Sequence, residues 1–190
     1  MIIGILGGSF DPIHSGHAIV ANYALQWGGL DEVWIMVSPR NPLKSSIEAP
    51  DISRLEMARM VFNDSSEIHV SDFEFSLPVP SYTYNTLKKL QERFPEHEFK
   101  LIIGSDNWII FNKWRDSEKI IEEYGLIIYP RPGFDVDKDN LPENVKLLED
   151  APQVVMSSTF IRDALKNDKN INFFVPREVC KYIESEKLYR

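Results

Sequence analysis

The sequence is poor in cysteine, in long apolar runs and in basic charge. Cys180 is its one cysteine. No disulfide can close within the chain, and a cysteine-built zinc site is excluded. Cys180 falls in the helical stretch "REVCKYIESEKL", where a buried structural thiol is expected. No apolar run approaches a membrane span. The opening "MIIGILGG" lacks the basic flank and the length of a secretion signal, so a cytoplasmic protein is expected. Basic residues are outnumbered 21 to 29, for a net charge of −8. A broad nucleic-acid surface needs the opposite balance, although a local anion site stays open. Two common phosphate loops are missing as well. No Gly-Lys-Ser/Thr completes a P-loop, and glycines at 4, 7, 8 and 16 miss the G-x-G-x-x-G spacing.

What remains is an ordinary globular composition, with 43% hydrophobic and 26% charged residues. The length predicts a single domain over residues 1–190, with a C-terminal helical part from about residue 155. Short apolar runs alternate with helical patterns. "IIGILG", "EVWIMVS", "EIHVS", "FKLIIG" and "GLIIYP" read as strands, and "NVKLLE" as a candidate sixth. Helices are expected over 15–28, 51–63, 83–94, 116–124, 157–166 and 176–187. The first would pack closely through Ala21, Ala24, Leu25 and Gly28, and "SRLE" at 53–56 matches a capping box near the start of the second. Residues 131–144 read as a long loop. Continuous apolar strands alternating with helices predict an α/β fold, a Rossmann-like doubly wound parallel sheet. Such sheets bind ligands beyond the carboxyl ends of their strands. The polar sequences after strands one, two and four should converge there.

The stretch "GGSFDPIHSGH" leaves the first strand. Gly7 and Gly8 let backbone N–H groups approach a ligand, and Gly16 lets something pack on the first helical turn. A helix start favours phosphate. His14 and His17 would face the same anion and donate to its oxygens. A surface pair or part of a metal site would use the same spacing, but no third ligand is close in sequence. "MSSTFIR" places Ser157, Ser158 and Thr159 at another helix start, with Arg162 one turn on, where it could grip a phosphate by two nitrogens. An ordinary capped helix with a surface arginine reads the same way. Lys44 lies in a proline-stiffened loop after strand two. Asp106 follows Gly104 at the end of strand four and could accept ribose hydroxyls or cap a short helix. Trp114 offers a flat surface for a pyridine ring, against the commoner role of a core tryptophan, which is the reading for Trp34 and Trp108. Tyr82 and Thr83 open a helix whose N–H groups could hold a carboxylate or simply be capped.

Four of these stretches, in order, resemble the nicotinate-nucleotide adenylyltransferase family of the HUP-type nucleotidyltransferase superfamily. They are "GGSFDPIHSGH", "SYTYNTL" (81–87), "IIGSDNWIIFNKW" (102–114) and "MSSTFIR" (156–162), and together they span most of the chain. The resemblance implies AMP transfer from ATP to nicotinate mononucleotide, giving deamido-NAD and pyrophosphate, with Mg²⁺ arriving with ATP and no dedicated metal site. It implies that His14, His17, Lys44 and Arg162 serve catalysis. ATP would meet Gly7, Gly8, Ser9, Phe10, Gly104, Asp106, Ser157, Ser158 and Thr159. The mononucleotide would meet Tyr82, Thr83 and Trp114. A homo-oligomer is compatible with all of this.

Two positions depart from the family pattern. Leu43 stands where a histidine is common, so Lys44 serves without it, and Asn85 stands where the family has aspartate. Other acceptors share the chemistry: nicotinamide mononucleotide, phosphopantetheine, or the substrates of a CTP-using enzyme. A non-catalytic nucleotide sensor would have no need of the histidine pair. A relative of class I aminoacyl-tRNA synthetases would carry Lys-Met-Ser-Lys-Ser and a tRNA-binding domain, and this chain has neither lysine pair nor basic surplus.

Overall fold

The computed structural model describes residues 1–39 and 48–190. Lys44 and Leu43 therefore lie outside the described residues. Among these, six strands form one parallel sheet in the order β3-β2-β1-β4-β5-β6. The strands are β1 (Ile2–Gly8), β2 (Glu32–Val37), β3 (Ile68–Ser71), β4 (Glu98–Gly104), β5 (Leu126–Tyr129) and β6 (Val145–Leu147). Each run named from the sequence is a strand, the sixth only three residues long. The helices are α1 (Ser15–Gly28), α2 (Asp51–Phe62), α3 (Thr83–Arg93), α4 (Ser105–Trp108), α5 (Ser117–Glu123), α6 (Ser158–Lys166) and α7 (Arg177–Ser185). This is an α/β, Rossmann-like sheet. Strand order reverses between β1 and β4, which places a crevice at their carboxyl ends.

The two faces of the sheet carry different cores because strand side chains alternate. Leu6, Ile102, Ile127 and Tyr129 join α1, α2, α6 and α7 through Ala21, Ala24, Ala58, Ile161 and Ile183. Ile3, Ile5, Leu101, Ile103, Leu126 and Ile128 join α3 and α5 through Leu87, Leu90 and Ile120. Trp34, Trp108 and Trp114 pack against this second core. Alanine and glycine on α1 bring that helix close to the sheet, as its sequence suggests.

The capping box expected at 53–56 does not form. Pro50 caps α2 and the helix runs from Asp51, so Ser53 already lies inside the first turn. Glu56 pairs instead with Arg59, 2.8 Å away. Cys180 is half-buried rather than buried, and its burial pushes the thiol pKa up.

Candidate active site

After β1 the chain turns through Ser9 and Phe10, both buried. Phe10 has φ +47°, in the left-handed region unusual for a bulky residue. That turn lays its ring against Gly8, where an added Cβ would sit 3.1 Å from it. It also brings Phe10 edge-on to His17 at 4.9 Å between centroids. His14 caps α1 and is 3% exposed. The two imidazoles stack at 3.7 Å, so the sequence spacing does bring them together. The His14 N–H donates to His17 Nδ1 at 3.2 Å, so Nε2 carries the proton of a neutral His17 ring and can donate it. Gly16 makes the stack possible, because a Cβ there would lie 3.0 Å from both His14 Nδ1 and Val154. Among the described residues, nothing lies within 4 Å of where a Cβ on Gly7 would sit. The start of α1 is less open than its sequence suggests. The Ser15 N–H is taken by the Phe174 carbonyl (2.9 Å) and the His17 N–H by that of His14 (2.9 Å).

The start of α6 docks on this same loop. Ser157 caps the helix, accepting from the Phe160 N–H at 3.2 Å. The Ser158 hydroxyl donates to the Pro12 carbonyl at 2.9 Å. Arg162 reaches the loop itself: Nη1 donates to the Asp11 carbonyl (2.8 Å) and Nη2 to the Thr159 hydroxyl (3.3 Å). Its Nε meets Glu48 at 3.1 Å. Lys166 also pairs with Glu48, at 2.9 Å. The hydrogen bond from Lys166 leads the effects that hold the Glu48 carboxyl below its usual pKa, with Arg162 adding to it. Three predicted groups, His14, His17 and Arg162, thus share one loop.

At the end of β4, Gly104 leaves room for two side chains. A Cβ there would fall 2.2 Å from Asp106 Oδ1 and 2.8 Å from Arg131 Nε. These two groups pair across 3.4 Å, and the Ser105 hydroxyl accepts the Arg131 N–H at 2.8 Å. Arg131, Phe134, Val136, Leu147 and Gln153 line an open pocket of ≈ 330 Å³ beyond β5 and β6.

On the other face, Tyr82 caps α3 and Thr83 is its first residue. Trp114 follows a short turn over Phe111–Lys113 and rests on Phe111, 5.2 Å between centroids. It is partly exposed, as Trp34 and Trp108 are. The neighbouring Arg115 lays its guanidinium over the Tyr82 ring at 4.8 Å. Arg115, the residue after Trp114, therefore brings the tryptophan's segment to the start of α3, about 30 residues away in sequence.

Several residues here gave no readable signal in sequence. Arg54 is 0% exposed and ties the loops after β1 and β2 together. It donates to the carbonyls of Ser9, Ser38 (2.8 Å) and Pro39 (3.2 Å) and to Asp51 (2.6 Å). Asp11, Glu48 and Arg131 were equally silent, because each matters through partners far along the chain.

The Cytidylyltransferase-like family model matches residues 5–164. The protein of Bacteroides fragilis named "Probable nicotinate-nucleotide adenylyltransferase" is 50% identical over 181 residues, 95% of this chain and 90% of its own. The chain belongs to the nicotinate-nucleotide adenylyltransferase family. A Flavobacterium johnsoniae protein of the same name is 42% identical over the whole of both chains. Among solved structures, a Plasmodium falciparum nicotinic acid mononucleotide adenylyltransferase complexed with NaAD superposes with a TM-score of 0.81 at 27% identity. The match covers 99% of this chain and 97% of that one. The glycine–histidine loop leaves β1, the helix that carries Arg162 docks on that loop, and Trp114 packs against the core on the other face of the sheet. No described helix is long and apolar enough to cross a membrane.

Proposed function

We propose that this protein transfers the adenylyl group of ATP to nicotinate mononucleotide, giving deamido-NAD and pyrophosphate, in the cytoplasm. One observation carries the reading. The loop of His14 and His17, with Arg162 docked on it, lies with one face of the sheet, and Trp114 packs on the core of the other, so groups suited to a triphosphate and to a pyridine carboxylate would approach each other across β1 and β4. The mononucleotide's 5′-phosphate oxygen forms a bond to the α-phosphorus of ATP. The bond from that phosphorus to the bridging oxygen breaks, and pyrophosphate departs with its electron pair. The nucleophile is already an anion, so no general base is required. The work of the protein is positioning and charge stabilisation.

His14, His17 and Arg162 supply donors on the phosphates, with Lys44 as a further cation. Gly7, Gly8, Ser9 and Phe10 bring backbone rather than side chains to the nucleotide, since Ser9 and Phe10 are buried. The start of α6, with Ser157, Ser158 and Thr159, adds its positive end. A triphosphate competes with Glu48 for Arg162. Asp106 accepts from the ribose beside Gly104, and Arg131 closes the adenosine end. Mg²⁺ enters with ATP as part of the substrate, held by phosphate oxygens and water.

The acceptor side chooses the acid. N–H groups at the start of α3 and the Thr83 hydroxyl are donors, and Arg115 adds positive charge close by. A carboxamide would bring its own donors to a place built of donors. Trp114→Ala is expected to weaken nicotinate mononucleotide binding about tenfold through lost stacking. Calorimetry on the purified variant checks this, and unchanged affinity would remove Trp114 from the site. Gly104→Ala is expected to raise the KM for ATP several-fold by displacing Asp106 and Arg131, while the unfolding midpoint stays close to wild type. A KM equal to wild type would take Asp106 off the nucleotide.

The reaction itself is tested by pyrophosphate release from ATP with nicotinate mononucleotide, nicotinamide mononucleotide and phosphopantetheine in parallel, and with CTP replacing ATP. Nicotinate mononucleotide with ATP should be fastest. Silence with every pair would leave a nucleotide-binding protein without transferase chemistry.

A further inference from the structure

Asp11 is 3% exposed, and no substrate contact above uses its side chain. Its carboxylate accepts three hydrogen bonds, from the N–H groups of Glu48 (2.8 Å) and Ala49 (3.1 Å) and from the Tyr189 hydroxyl (2.8 Å). Its backbone carbonyl receives Nη1 of Arg162. Tyr189 follows α7, is 6% exposed and holds φ +63°, a left-handed conformation costly for an aromatic residue. Burial, with the Asp11 carboxylate adding to it, pushes the phenol pKa far up, so its proton is always available to donate. Phenylalanine would fill the same space. The hydroxyl is therefore there for the carboxylate, and the carboxylate branches from the same Cα as the carbonyl that holds Arg162.

We infer that Tyr189 is a positioning residue for Arg162, acting through Asp11. Arg162 stands between two acceptors, the Asp11 carbonyl at 2.8 Å and the Glu48 carboxylate at 3.1 Å. Fixing Asp11 by three donors fixes that carbonyl, which keeps the guanidinium from being drawn wholly to Glu48. Without the Tyr189 hydroxyl, Oδ1 keeps, among the described residues, only the Ala49 N–H. The residue can then tilt, the carbonyl turns, and Arg162 yields to Glu48 and presents less of its charge to the triphosphate.

The inference rests on Arg162 being a phosphate-binding group, and its test needs no acceptor substrate. Affinity for a non-hydrolysable ATP analogue is measured by calorimetry for wild type, Tyr189→Phe, Arg162→Ala and the double variant. Tyr189→Phe should bind the analogue about fivefold more weakly, the loss of one hydrogen bond's worth of ordering. Nicotinate mononucleotide affinity should not move. With Arg162 already removed, Tyr189→Phe should change analogue binding by less than about 1.5-fold, because the two residues act in series. Full analogue affinity in Tyr189→Phe overturns the inference. So does an equal loss in the Arg162→Ala background, or a parallel loss for the mononucleotide. Should the phenylalanine variant fold poorly, Tyr189→Met fills the space without the hydroxyl and gives the same reading. Pyrophosphate release by the wild type tests the proposed reaction separately, so the two can fail independently.

Discussion

His17→Ala should lower the turnover number by ~10²-fold or more, with the affinity for nicotinate mononucleotide close to unchanged. The size follows from where the ring is held. His17 Nδ1 is engaged by the His14 N–H, so the ring's other nitrogen is its donor. The stack on His14 and the edge of Phe10 fix the ring before any phosphate arrives. A donor held this way needs no reorganisation when charge builds on the transferring phosphoryl group and on departing pyrophosphate, and such donors are worth the most. On the proposed reading the mononucleotide's pyridine would be held from α3 and Trp114, on the opposite face of the sheet, so its binding should survive. Turnover and mononucleotide affinity measured on the same folded preparation decide the matter. Wild-type turnover would end the catalytic assignment, and an equal fall in mononucleotide affinity would mean that the loop had collapsed.

The largest effect on stability is expected at Arg54. Its guanidinium is wholly buried and serves three backbone carbonyls, those of Ser9, Ser38 and Pro39, besides Asp51. Asp51 is half in water, so losing the ion pair contributes little by itself. The cost lies in the carbonyls, buried at Ser9 and partly buried at Ser38 and Pro39, which lose their donor, and in the cavity left by a long side chain. Together these put Arg54→Ala at ~3–5 kcal/mol below wild type. Urea unfolding with unchanged m-values would report it as a fall in midpoint. A loss under about 1 kcal/mol would show that the two loops stand without their clamp. Activity should fall too, because Ser9 lies between Gly8 and Phe10 in the loop that carries the histidines.

Much of this was legible in the sequence, and the reasons are local. Buried parallel strands announce themselves as apolar runs, so β1, β2, β4 and β5 were readable. His14 and His17 are one helical turn apart, and their stacking follows from that spacing once Gly16 clears the way. Residues that work by long-range contact left no such trace. Asp11 meets Glu48, Arg162 and Tyr189, and Arg54 meets the ends of two different strands, all distances that no sequence period encodes. The "SRLE" pattern misled for a related reason. Pro50 starts the helix before the serine, so a correct motif found itself in the wrong register.

The split of the site between two faces has a mechanical consequence. The groups proposed for the phosphates lie with the core that contains Leu6 and Ile102, those proposed for the acceptor with the core that contains Ile5 and Ile103. What connects the two halves most directly is the β1–β4 ladder, in which Leu6 lies beside Ile102. Adjacent strands keep a spacing of about 4.8 Å that side-chain changes scarcely alter. In the proposed reaction, the gap across which phosphate oxygen meets phosphorus would therefore be gauged by backbone hydrogen bonds. Either half can be rebuilt for a different substrate without resetting that gauge.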